Sequence, residues 1–366
     1  MKPFIPFLLP IKNLDFERLI NVVAEANKQL SLYNGILQVM INPHILLAPL
    51  TAKEAVLSSK IEGTQISFTE LLQFEADEKL NETINKNDID EILNYKSAIL
   101  EAENMFKYRP FIHLNMIKSL HGILLNNVRG NNKDRGEFRK IQVYIGSVGC
   151  GIEQATYIPP EAQNVMAALD NWEKYINNDE QEDLITCATM HAQFEMIHPF
   201  LDGNGRMGRM LIPLFLFQKN CICKPVFYMS EYFEQNRQEY YSKLNAISSS
   251  GDWNGWIEFF LKGIIEQANK NIYKSREIVE LYNGMKEQFI KTTNSSFAIN
   301  ILDNLFKKPI ISATELANNS NIKSTTTYNN LFKKLLNNGL ISVQKEGRGS
   351  RPVIFSFDKL VEIIDK

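Results

Sequence analysis

The sequence predicts a mainly α-helical protein that carries one small β-hairpin and ends in a winged helix-turn-helix domain. Three observations predict this class. Apolar residues recur at helical spacing along most of the chain. The stretch 140–158 instead contains segments that alternate polar and apolar residues, as half-buried strands do. Residues 293–366 show three helical patterns followed by two strand patterns around a glycine-containing turn.

Nine helices are predicted before the C-terminal domain, from apolar periodicity and from residues that start or stop helices. The second of them has Thr51 at its N-cap and Gly63 as its C-terminal stop, and Arg109-Pro110 ends the third. The predicted ranges are 14–33, 51–62, 88–108, 113–126, 160–177, 184–197, 205–219, 236–248 and 253–291.

The predicted hairpin comprises two short extended segments. Lys140–Ile145 alternates polar and apolar side chains, and a glycine-containing loop, 146–151, follows it. Ala155–Ile158 is the second segment, and Pro159-Pro160 ends it because proline cannot continue a strand ladder. The hairpin therefore lies between helices and precedes the most informative motif of the chain.

The end of the chain changes character after a polar break at Thr292–Ser296. Helical patterns then cover 297–306, 313–318 and 324–338, and strand patterns cover 340–343 and 353–357. Three helices and a hairpin with glycine at its tip are typical of a winged helix-turn-helix.

Composition excludes several classes of protein. The chain has 366 residues, of which 44% are hydrophobic and 22% charged, as expected of a globular protein with two or three domains. A net charge of −2 argues against a polyelectrolyte binder. No segment has membrane-spanning length or the layout of a signal peptide, so we expect a cytoplasmic chain without a membrane partner. Reduced thiols are expected at all four cysteines, which lack zinc or disulfide spacing: Cys150, Cys187, Cys221 and Cys223.

Residues 198–209 read His-Pro-Phe-Leu-Asp-Gly-Asn-Gly-Arg-Met-Gly-Arg and lie between two predicted apolar helices. Gly203 and Gly205 let backbone N–H groups approach a bulky anion, because no Cβ obstructs them. The start of the following helix adds unpaired N–H groups and the positive end of the helix dipole. Arg206 and Arg209 share one face of that helix and can bind phosphate oxygens bidentately. The motif therefore predicts a cradle for a nucleotide polyphosphate.

Asp202 and His198 add chemistry to this cradle. A carboxylate beside phosphates repels them unless a cation bridges the two, and Mg²⁺ favours such mixed oxygen ligands. His198 has a near-neutral intrinsic pKa and can serve as a base. The combination predicts in-line attack on a nucleotide phosphorus. A helix–loop–helix corner with a buried histidine is the plain alternative, and a GxxxxGK[ST] phosphate loop is absent from the sequence.

This motif resembles the signature of the Fic family, HPFx[DE]GNGRxxR, at every specified position. The resemblance extends from about Thr51 to about Lys262 and includes 136–139, the hairpin with 157–160, and 236–241. It implies a Fic-type helical bundle and AMPylation, the transfer of AMP from ATP to a Ser, Thr or Tyr hydroxyl of a target protein with release of pyrophosphate.

The same resemblance implies roles for individual residues. His198 would deprotonate the target hydroxyl, and Asp202 would hold Mg²⁺. The hairpin resembles the Fic flap, whose open strand edge would dock the target backbone. The implied nucleotide-binding residues are Gly203, Asn204, Gly205, Arg206, Arg209 and Tyr240, and the implied docking residues are Val143, Tyr144, Tyr157 and Ile158.

Glu62 ends a predicted helix, where an acidic side chain opposes the helix dipole. One explanation is that Lys60 or Lys53 compensates the Glu62 charge locally. The other is that Glu62 pairs with a distant arginine. Ser58 and Glu62 also resemble the Fic inhibitory pattern [ST]xxxE[GN], which implies that Glu62 pairs with Arg209 and denies it to the ATP γ-phosphate. In some members of the family the same glutamate aligns water to remove AMP, so a de-AMPylating hydrolase is an alternative.

These expectations define four regions. They are an N-terminal helical region, 1–105, with an inhibitory helix at 51–63; a Fic core, 106–265, with a flap at 140–158; a linker helix, 266–292; and the winged helix-turn-helix, 293–366. The last region has ten Lys/Arg and six Asp/Glu, a net charge of about +4 that suits contact with DNA but also with protein. A DNA-binding regulator whose Fic core senses nucleotide is therefore the rival to the enzyme, and a homodimer is expected from the resemblance alone.

Overall fold

The computed structural model describes residues 2–77, 85–128, 134–146, 149, 151–178, 181–349 and 351–365. Within these ranges the chain is mainly helical, as predicted. The helices are α1 (Phe16–Val39), α2 (Pro43–Leu46), α3 (Ala48–Ile61), α4 (Phe68–Ala76), α5 (Lys86–Tyr108), α6 (Leu114–Leu124), α7 (Val165–Ile176), α8 (Asp183–Ile197), α9 (Asn204–Gln218), α10 (Ser230–Gln235), α11 (Arg237–Ser250), α12 (Trp253–Thr293), α13 (Ala298–Lys307), α14 (Ala313–Asn319), α15 (Thr325–Asn337) and α16 (Asp358–Asp365). The strands are β1 (Ile310–Ser312), β2 (Ser342–Lys345) and β3 (Ile354–Ser356).

Two compact units make up the fold. The first comprises Met1–Gly35, Leu57–Thr64 and Lys86–Asn269, and the second comprises Ile36–Val56, Gln65–Asn85 and Lys270–Lys366. The chain passes between the units within α1, α3 and α12. The four regions predicted from the sequence do not coincide with these units, since the predicted region 1–105 has residues in both, and they stay a prediction.

The helix that ends beside Glu62 starts earlier than predicted. It begins at Ala48, so Thr51 lies inside α3 and the prediction of Thr51 as N-cap was wrong. Pro49 explains the difference. The N–H groups in the first turn of a helix have no intrahelical acceptor, so a proline, which lacks an N–H, is tolerated there. At the other end Gly63 has φ +108° and its N–H bonds to the Lys60 carbonyl, so glycine stops the helix as predicted.

The core of the first unit is built around α8 and α9, which are apolar on nearly all faces and almost wholly buried. The two helices pack on each other, and α7 also packs on α8. Two indole N–H groups anchor this packing: Trp172 donates to the Met190 carbonyl and Trp256 to the Ala188 carbonyl, both over 2.9 Å. The motif 198–209 therefore joins two helices that solvent barely reaches.

Among its described residues, the predicted hairpin has one antiparallel bridge, between Ile145 and Tyr157. Residues 147, 148 and 150 of its turn, Cys150 included, lie outside the described residues. The second segment finds another partner, because the Phe4 N–H donates to the Ile158 carbonyl over 2.9 Å. Pro159 and Pro160 lack N–H groups, so the ladder cannot continue beyond them. We keep the name flap for the segment 140–158.

The C-terminal part of the second unit contains α13, α14 and α15 with a three-stranded sheet in the order β1-β3-β2, antiparallel throughout. Arg348 and Arg351 bridge at the turn between β2 and β3. The three predicted helices are present to within about one residue, and β1 and α16 were not predicted. Strand β1 is only three residues long, too short for its alternation to be read from sequence.

Cys187, Cys221 and Cys223 are free thiols, of which Cys187 is buried. Among the helices of the described ranges, none has the length and apolar character that a membrane span requires.

Candidate active site

A tight loop joins α8 to α9 and carries the predicted functional residues. His198 ends α8 in the left-handed conformation, with φ 49°, and Gly203 begins α9 with φ +76°. The amide of Asn204 closes the loop, since its Oδ1 accepts from the Phe200 N–H (2.8 Å) and its Nδ2 donates to the Phe200 carbonyl (2.9 Å). Asn204 is 1% exposed. Its side chain therefore fixes the shape of the loop around the predicted cradle.

His198 is half-buried, and a hydrogen bond determines which of its ring nitrogens carries the proton. Nδ1 lies 3.3 Å from the Glu195 carbonyl, which can only accept, so Nδ1 carries the proton and Nε2 keeps its lone pair. Burial lowers the pKa of His198 to about 4, aided by the Arg139 charge and opposed by the bond to Glu195 and by Glu62 and Asp202. The ring is therefore a neutral base at physiological pH.

A second histidine, His121, contacts the loop at two residues, Phe200 and Asp202. Its ring stacks on Phe200 with centroids 3.7 Å apart. The Gly136 N–H donates to Nδ1 (2.9 Å), so Nε2 carries the proton that it donates to the Asp202 carbonyl (3.0 Å). Burial lowers the pKa of His121 to about 4, and the neutral tautomer is thus fixed. Through its bond to the Asp202 carbonyl, His121 positions the backbone of Asp202.

Asp202 stands at the start of α9 with its side chain 28% exposed. Its Oδ1 accepts from the Gly203 N–H (2.7 Å) and lies 3.7 Å from Nη2 of Arg206. In the described part of the chain, no group of three or more His, Cys, Asp or Glu could hold a metal ion by itself. A single partly exposed carboxylate fits Mg²⁺ that takes its remaining ligands from nucleotide phosphates and water.

Arg206 does not point freely into the cradle. Its Nη1 lies 3.0 Å from Oε2 of Glu91 on α5, and both side chains are only 4% exposed. The guanidinium therefore lies between two carboxylates, Glu91 and Asp202. Sequence reasoning missed Glu91, and no local pattern could have found it, because the pair joins residues 115 positions apart.

Arg209 is held by the inhibitory segment predicted from the resemblance. Its Nη2 lies 2.7 Å from Oε1 of Glu62 and 2.9 Å from the Ser58 carbonyl, and its Nε donates to Ser58 Oγ over 2.9 Å. The arginine side chain is 1% exposed and that of Glu62 36%. The distant-partner explanation for Glu62 is therefore the one that the structure supports.

The Glu62 carboxylate also covers the first turn of α9. A Cβ placed on Gly205 would lie 2.2 Å from Glu62 Oε1 and 2.9 Å from Nη1 of Arg209. Partial burial acts to raise the pKa of Glu62, but the charge and hydrogen bond of Arg209 outweigh it and lower the pKa below its ordinary value. An anion of the chain itself thus occupies the helix N-terminus where the motif predicts phosphate.

A cavity of about 600 Å³ lies between the flap, the C-terminal part of α8 and α11. Its lining is mostly apolar and includes Ile145, Tyr157, Glu195, Met196, Tyr241 and Leu244. Burial raises the pKa of Glu195 to about 7 against the opposing charge of Arg209. Tyr240, predicted to contact nucleotide, is instead 1% exposed, and its hydroxyl lies 3.0 Å from His191 Nε2. The next residue, Tyr241, lines the cavity.

The four predicted docking residues divide into two pairs. Tyr144 is exposed and Val143 is half-buried, so the first segment of the flap offers a surface. Ile158 is 3% exposed, and the Tyr157 hydroxyl donates to the Met196 carbonyl over 2.7 Å. The second segment therefore packs on the core.

A helical core that presents a histidine, a carboxylate and a glycine-flanked helix start in one loop defines the Fic class of fold and site. Two family models match the chain: the Fic/DOC family N-terminal model over residues 20–104 and the Fic/DOC family model over residues 111–216. The chain belongs to the Fic/DOC family.

Curated relatives carry the name protein adenylyltransferase Fic. The protein from Aedes aegypti is 28% identical over 174 residues, which cover 47% of this chain and 30% of the relative. The Drosophila melanogaster protein is 29% identical over 172 residues, covering 46% of this chain and 31% of the relative. The matched part thus spans about a third of the length of these relatives.

Solved structures show the same fold. A Fic family protein from Desulfovibrio desulfuricans aligns with a TM-score of 0.59 at 18% identity and covers 98% of each chain. Residues 134–508 of Fic-1 from Caenorhabditis elegans align with a TM-score of 0.54 at 17% identity, over 70% of this chain and 74% of that one. A Fic domain containing signaling protein from Bacteroides thetaiotaomicron aligns with a TM-score of 0.56 at 14% identity, over 69% of this chain and 97% of that one.

Proposed function

We propose that this protein is an autoinhibited AMPylator, which transfers AMP from ATP to a Ser, Thr or Tyr hydroxyl of a target protein. The observation that carries the proposal is the position of Glu62. Its carboxylate pairs with Arg209 and lies over Gly205, beside a loop whose histidine has an available lone pair. The names of the curated relatives support the same reaction.

The chemistry begins at His198. Nε2 accepts the proton of the target hydroxyl as the hydroxyl oxygen forms a bond to the α-phosphorus of ATP. The bond from that phosphorus to the bridging oxygen of the β-phosphate breaks, and pyrophosphate leaves. Because the ring is already neutral, no proton must be removed from His198 before the reaction.

The start of α9 stabilises the charge that develops on the phosphates. Arg209 and the first-turn N–H groups bind the outer phosphates. Asp202 would hold Mg²⁺, which would supply further positive charge to the phosphates. Arg206 reaches the cradle only at its edge, since Glu91 holds one of its nitrogens. Its main contribution is to fix Asp202 by the 3.7 Å contact.

The cavity beside the flap suits the nucleobase. Its lining is mainly apolar, with Tyr241 and Leu244 on one wall and the flap residues Ile145 and Tyr157 on the other. Tyr241, rather than Tyr240, is the tyrosine that we assign to this role. Tyr240 packs against Tyr241 with ring centroids 5.2 Å apart, and its own hydroxyl lies 3.0 Å from His191 Nε2.

Autoinhibition follows from competition for one arginine. While Glu62 pairs with Arg209, the γ-phosphate loses that partner and the Glu62 carboxylate repels it at the start of α9. Release of Glu62 makes both groups available. A water-aligning role for Glu62 in removal of AMP is the alternative, and the same half-exposed carboxylate beside His198 suits it.

We propose a winged helix-turn-helix for the C-terminal module and duplex DNA as its partner. The supporting observation is the outward face of α15, which contains no Asp or Glu and exposes Thr325, Thr326, Asn329, Asn330 and Lys333. Arg348 and Arg351 are exposed at the turn between β2 and β3. A helix for the major groove and a basic wing are the parts that such domains use.

The proposed enzyme is tested with α-labelled ATP and Mg²⁺. The full chain and its Glu62→Gly variant are incubated with a cell lysate, and labelled proteins and released pyrophosphate are measured. Metal-dependent labelling with pyrophosphate release supports the enzyme. Sequence-specific duplex binding without any labelling supports the rival, a DNA-binding regulator that senses nucleotide.

A further inference from the structure

Arg139 is a buried cation without an acidic partner. It is 2% exposed, and among the described residues no carboxylate forms an ion pair with it. Burial lowers the pKa of Arg139 to about 10. A buried arginine is normally paired with an acid, so the groups that satisfy this one need explanation.

Its acceptors are all backbone carbonyls. Nε donates to the carbonyl of His198 over 2.8 Å, and Nη1 donates to the carbonyl of Ile141 over 3.2 Å. Nη2 donates to two carbonyls, that of Pro160 over 2.6 Å and that of Ile197 over 3.3 Å. The Arg139 N–H adds a fifth bond, to the Pro199 carbonyl at 2.9 Å. Ile141 lies at the start of the flap and Pro160 two residues beyond its end. The other three acceptors are the carbonyls of Ile197, His198 and Pro199, at the base and on either side of it.

The same bonds complete the C-terminal end of α8. A helix leaves its last four carbonyls without intrahelical partners. Here the Glu195 carbonyl accepts from the His198 ring, the Met196 carbonyl from the Tyr157 hydroxyl, and the Ile197 and His198 carbonyls from Arg139. Two of the three donors come from the flap and the residue before it. A cation at this end also complements the helix dipole, which is why no carboxylate is needed.

We propose that Arg139 is a positioning residue for AMP transfer: its guanidinium clamps both ends of the flap to the C-terminal end of α8 and so sets the target-docking edge relative to His198. This inference rests on the proposed function, because the flap docks the target only if the chain is an AMPylator. The fork geometry is essential, since one planar group reaches four carbonyls at once. A lysine ammonium can keep the charge but cannot span the same acceptors.

The test uses the full chain in a Glu62→Gly background. Arg139→Gln and Arg139→Lys are compared with Arg135→Gln, an exposed arginine of the same loop that also donates to a backbone carbonyl, that of Gly122. Three quantities are measured: the stoichiometry and Kd of ATP binding, the rate of AMP transfer per bound nucleotide, and amide hydrogen exchange of Ile145, Thr156 and Tyr157. These amides close the flap bridge.

For Arg139→Gln we expect ATP binding within about twofold of the parent, because Arg139 touches no group of the phosphate cradle. Transfer per bound nucleotide should fall about tenfold or more, because small displacements of reacting groups are costly. Exchange of the flap amides should rise, Arg139→Lys should be intermediate, and Arg135→Gln should match the parent.

Transfer and flap exchange that are unchanged in Arg139→Gln overturn the proposal. If that variant does not bind ATP, Arg139→Lys decides: an unchanged transfer rate per bound nucleotide overturns the clamp, and a fall of about threefold or more with normal binding supports it. If the parent itself transfers no AMP, the proposed function fails. Flap exchange then still reports whether Arg139 holds the flap.

Discussion

Glu62 Oε1 lies 2.7 Å from Nη2 of Arg209 and would lie 2.2 Å from a Cβ at position 205. One carboxylate thus neutralises the arginine of the cradle and covers the helix start beside it. Ser58 reinforces the pair, because its hydroxyl and carbonyl both accept from the same guanidinium. Arg237 fixes the end of α3 by donating to the Ile61 carbonyl over 2.7 Å. The contact between Glu62 and Arg209 is therefore held from several sides, and removing it should have a measurable effect if it is inhibitory, as we propose.

Replacing Glu62 should activate the enzyme. Glu62→Gly and Glu62→Gln both remove the charge that competes with the γ-phosphate, so we expect labelling from α-labelled ATP to rise roughly tenfold or more, in line with ordinary coupling energies. Glu101→Gln, which alters an exposed glutamate on α5, is the control and should leave labelling unchanged. Activity that stays at the parental level in both Glu62 variants, with ATP binding intact, removes the inhibitory assignment.

Replacing His198 should abolish transfer while sparing nucleotide binding. In the Glu62→Gly background, His198→Ala should lower the transfer rate by about 10² to 10⁴, the usual contribution of a general base. His44→Ala, at an exposed histidine, is the matched control. The pKa of about 4 predicts that the base stays competent as the pH falls from 7 to about 5. A transfer rate in His198→Ala close to that of its parent would exclude this residue as the base.

The sequence predicted the site where the chemistry is local. Residues 198–209 are continuous, so their types and spacing could be read directly. The structure places 198–203 in the loop after α8 and 204–209 in the first turns of α9. Partners from distant segments could not be read in this way. Glu91, Arg139 and His121 act through contacts with residues 59 to 115 positions away, and single-sequence patterns carry no such information.

The sequence also could not predict the direction in which each helical side chain points. Adjacent residues on a helix point about 100° apart, so the sequence could not decide which of Tyr240 and Tyr241 lines the cavity. The flap shows a third limit. Alternation predicted paired segments at 140–158, but in the described part of these segments one bridge joins them, and Ile158 pairs with Phe4 instead.

Stability should fall as the pH drops from about 6.5 to 4.5. Burial lowers the pKa of His121 and His198 to about 4 and that of His191 to about 3, so these rings take up protons mainly in the unfolded chain. Their stabilising contribution is present above the unfolded pKa of about 6.5 and is lost as the pH falls. Glu195 has the opposite effect, because its pKa is raised to about 7 and it therefore holds a proton mainly in the folded chain. It offsets the contribution of one of the three histidines.

The net difference of about two protons predicts a slope of roughly 2 to 3 kcal/mol per pH unit near pH 5.5. Urea unfolding at pH 6.5, 5.5 and 5.0 measures it. His121→Gln should reduce the slope by about 1.4 kcal/mol per pH unit. A free energy of unfolding that is flat across this range contradicts the assignment of neutral buried rings.

Breaking the buried pair of Arg206 and Glu91 should lower the free energy of unfolding more than it weakens nucleotide binding. Both side chains are 4% exposed, so Glu91→Ala leaves a buried guanidinium whose nearest described acid is Asp202 at 3.7 Å. We expect a loss of about 3 to 5 kcal/mol in the free energy of unfolding. Glu101→Ala on the same helix is the control. A loss below about 1 kcal/mol would mean that water or Asp202 replaces Glu91.

Binding of DNA by the C-terminal module should depend on salt and on α15. A duplex library is titrated with the full chain at several salt concentrations, and log K is plotted against log salt. Lys333→Gln should weaken binding to all sequences and reduce the slope by roughly 0.9, because it removes one phosphate contact. Asn329→Ala should instead relax sequence preference, since amide side chains read base edges. Lys359→Gln, on α16, is the control for charge alone. No duplex binding at 50 mM salt, or equal effects of Lys333→Gln and Lys359→Gln, would assign α15 to a protein partner instead.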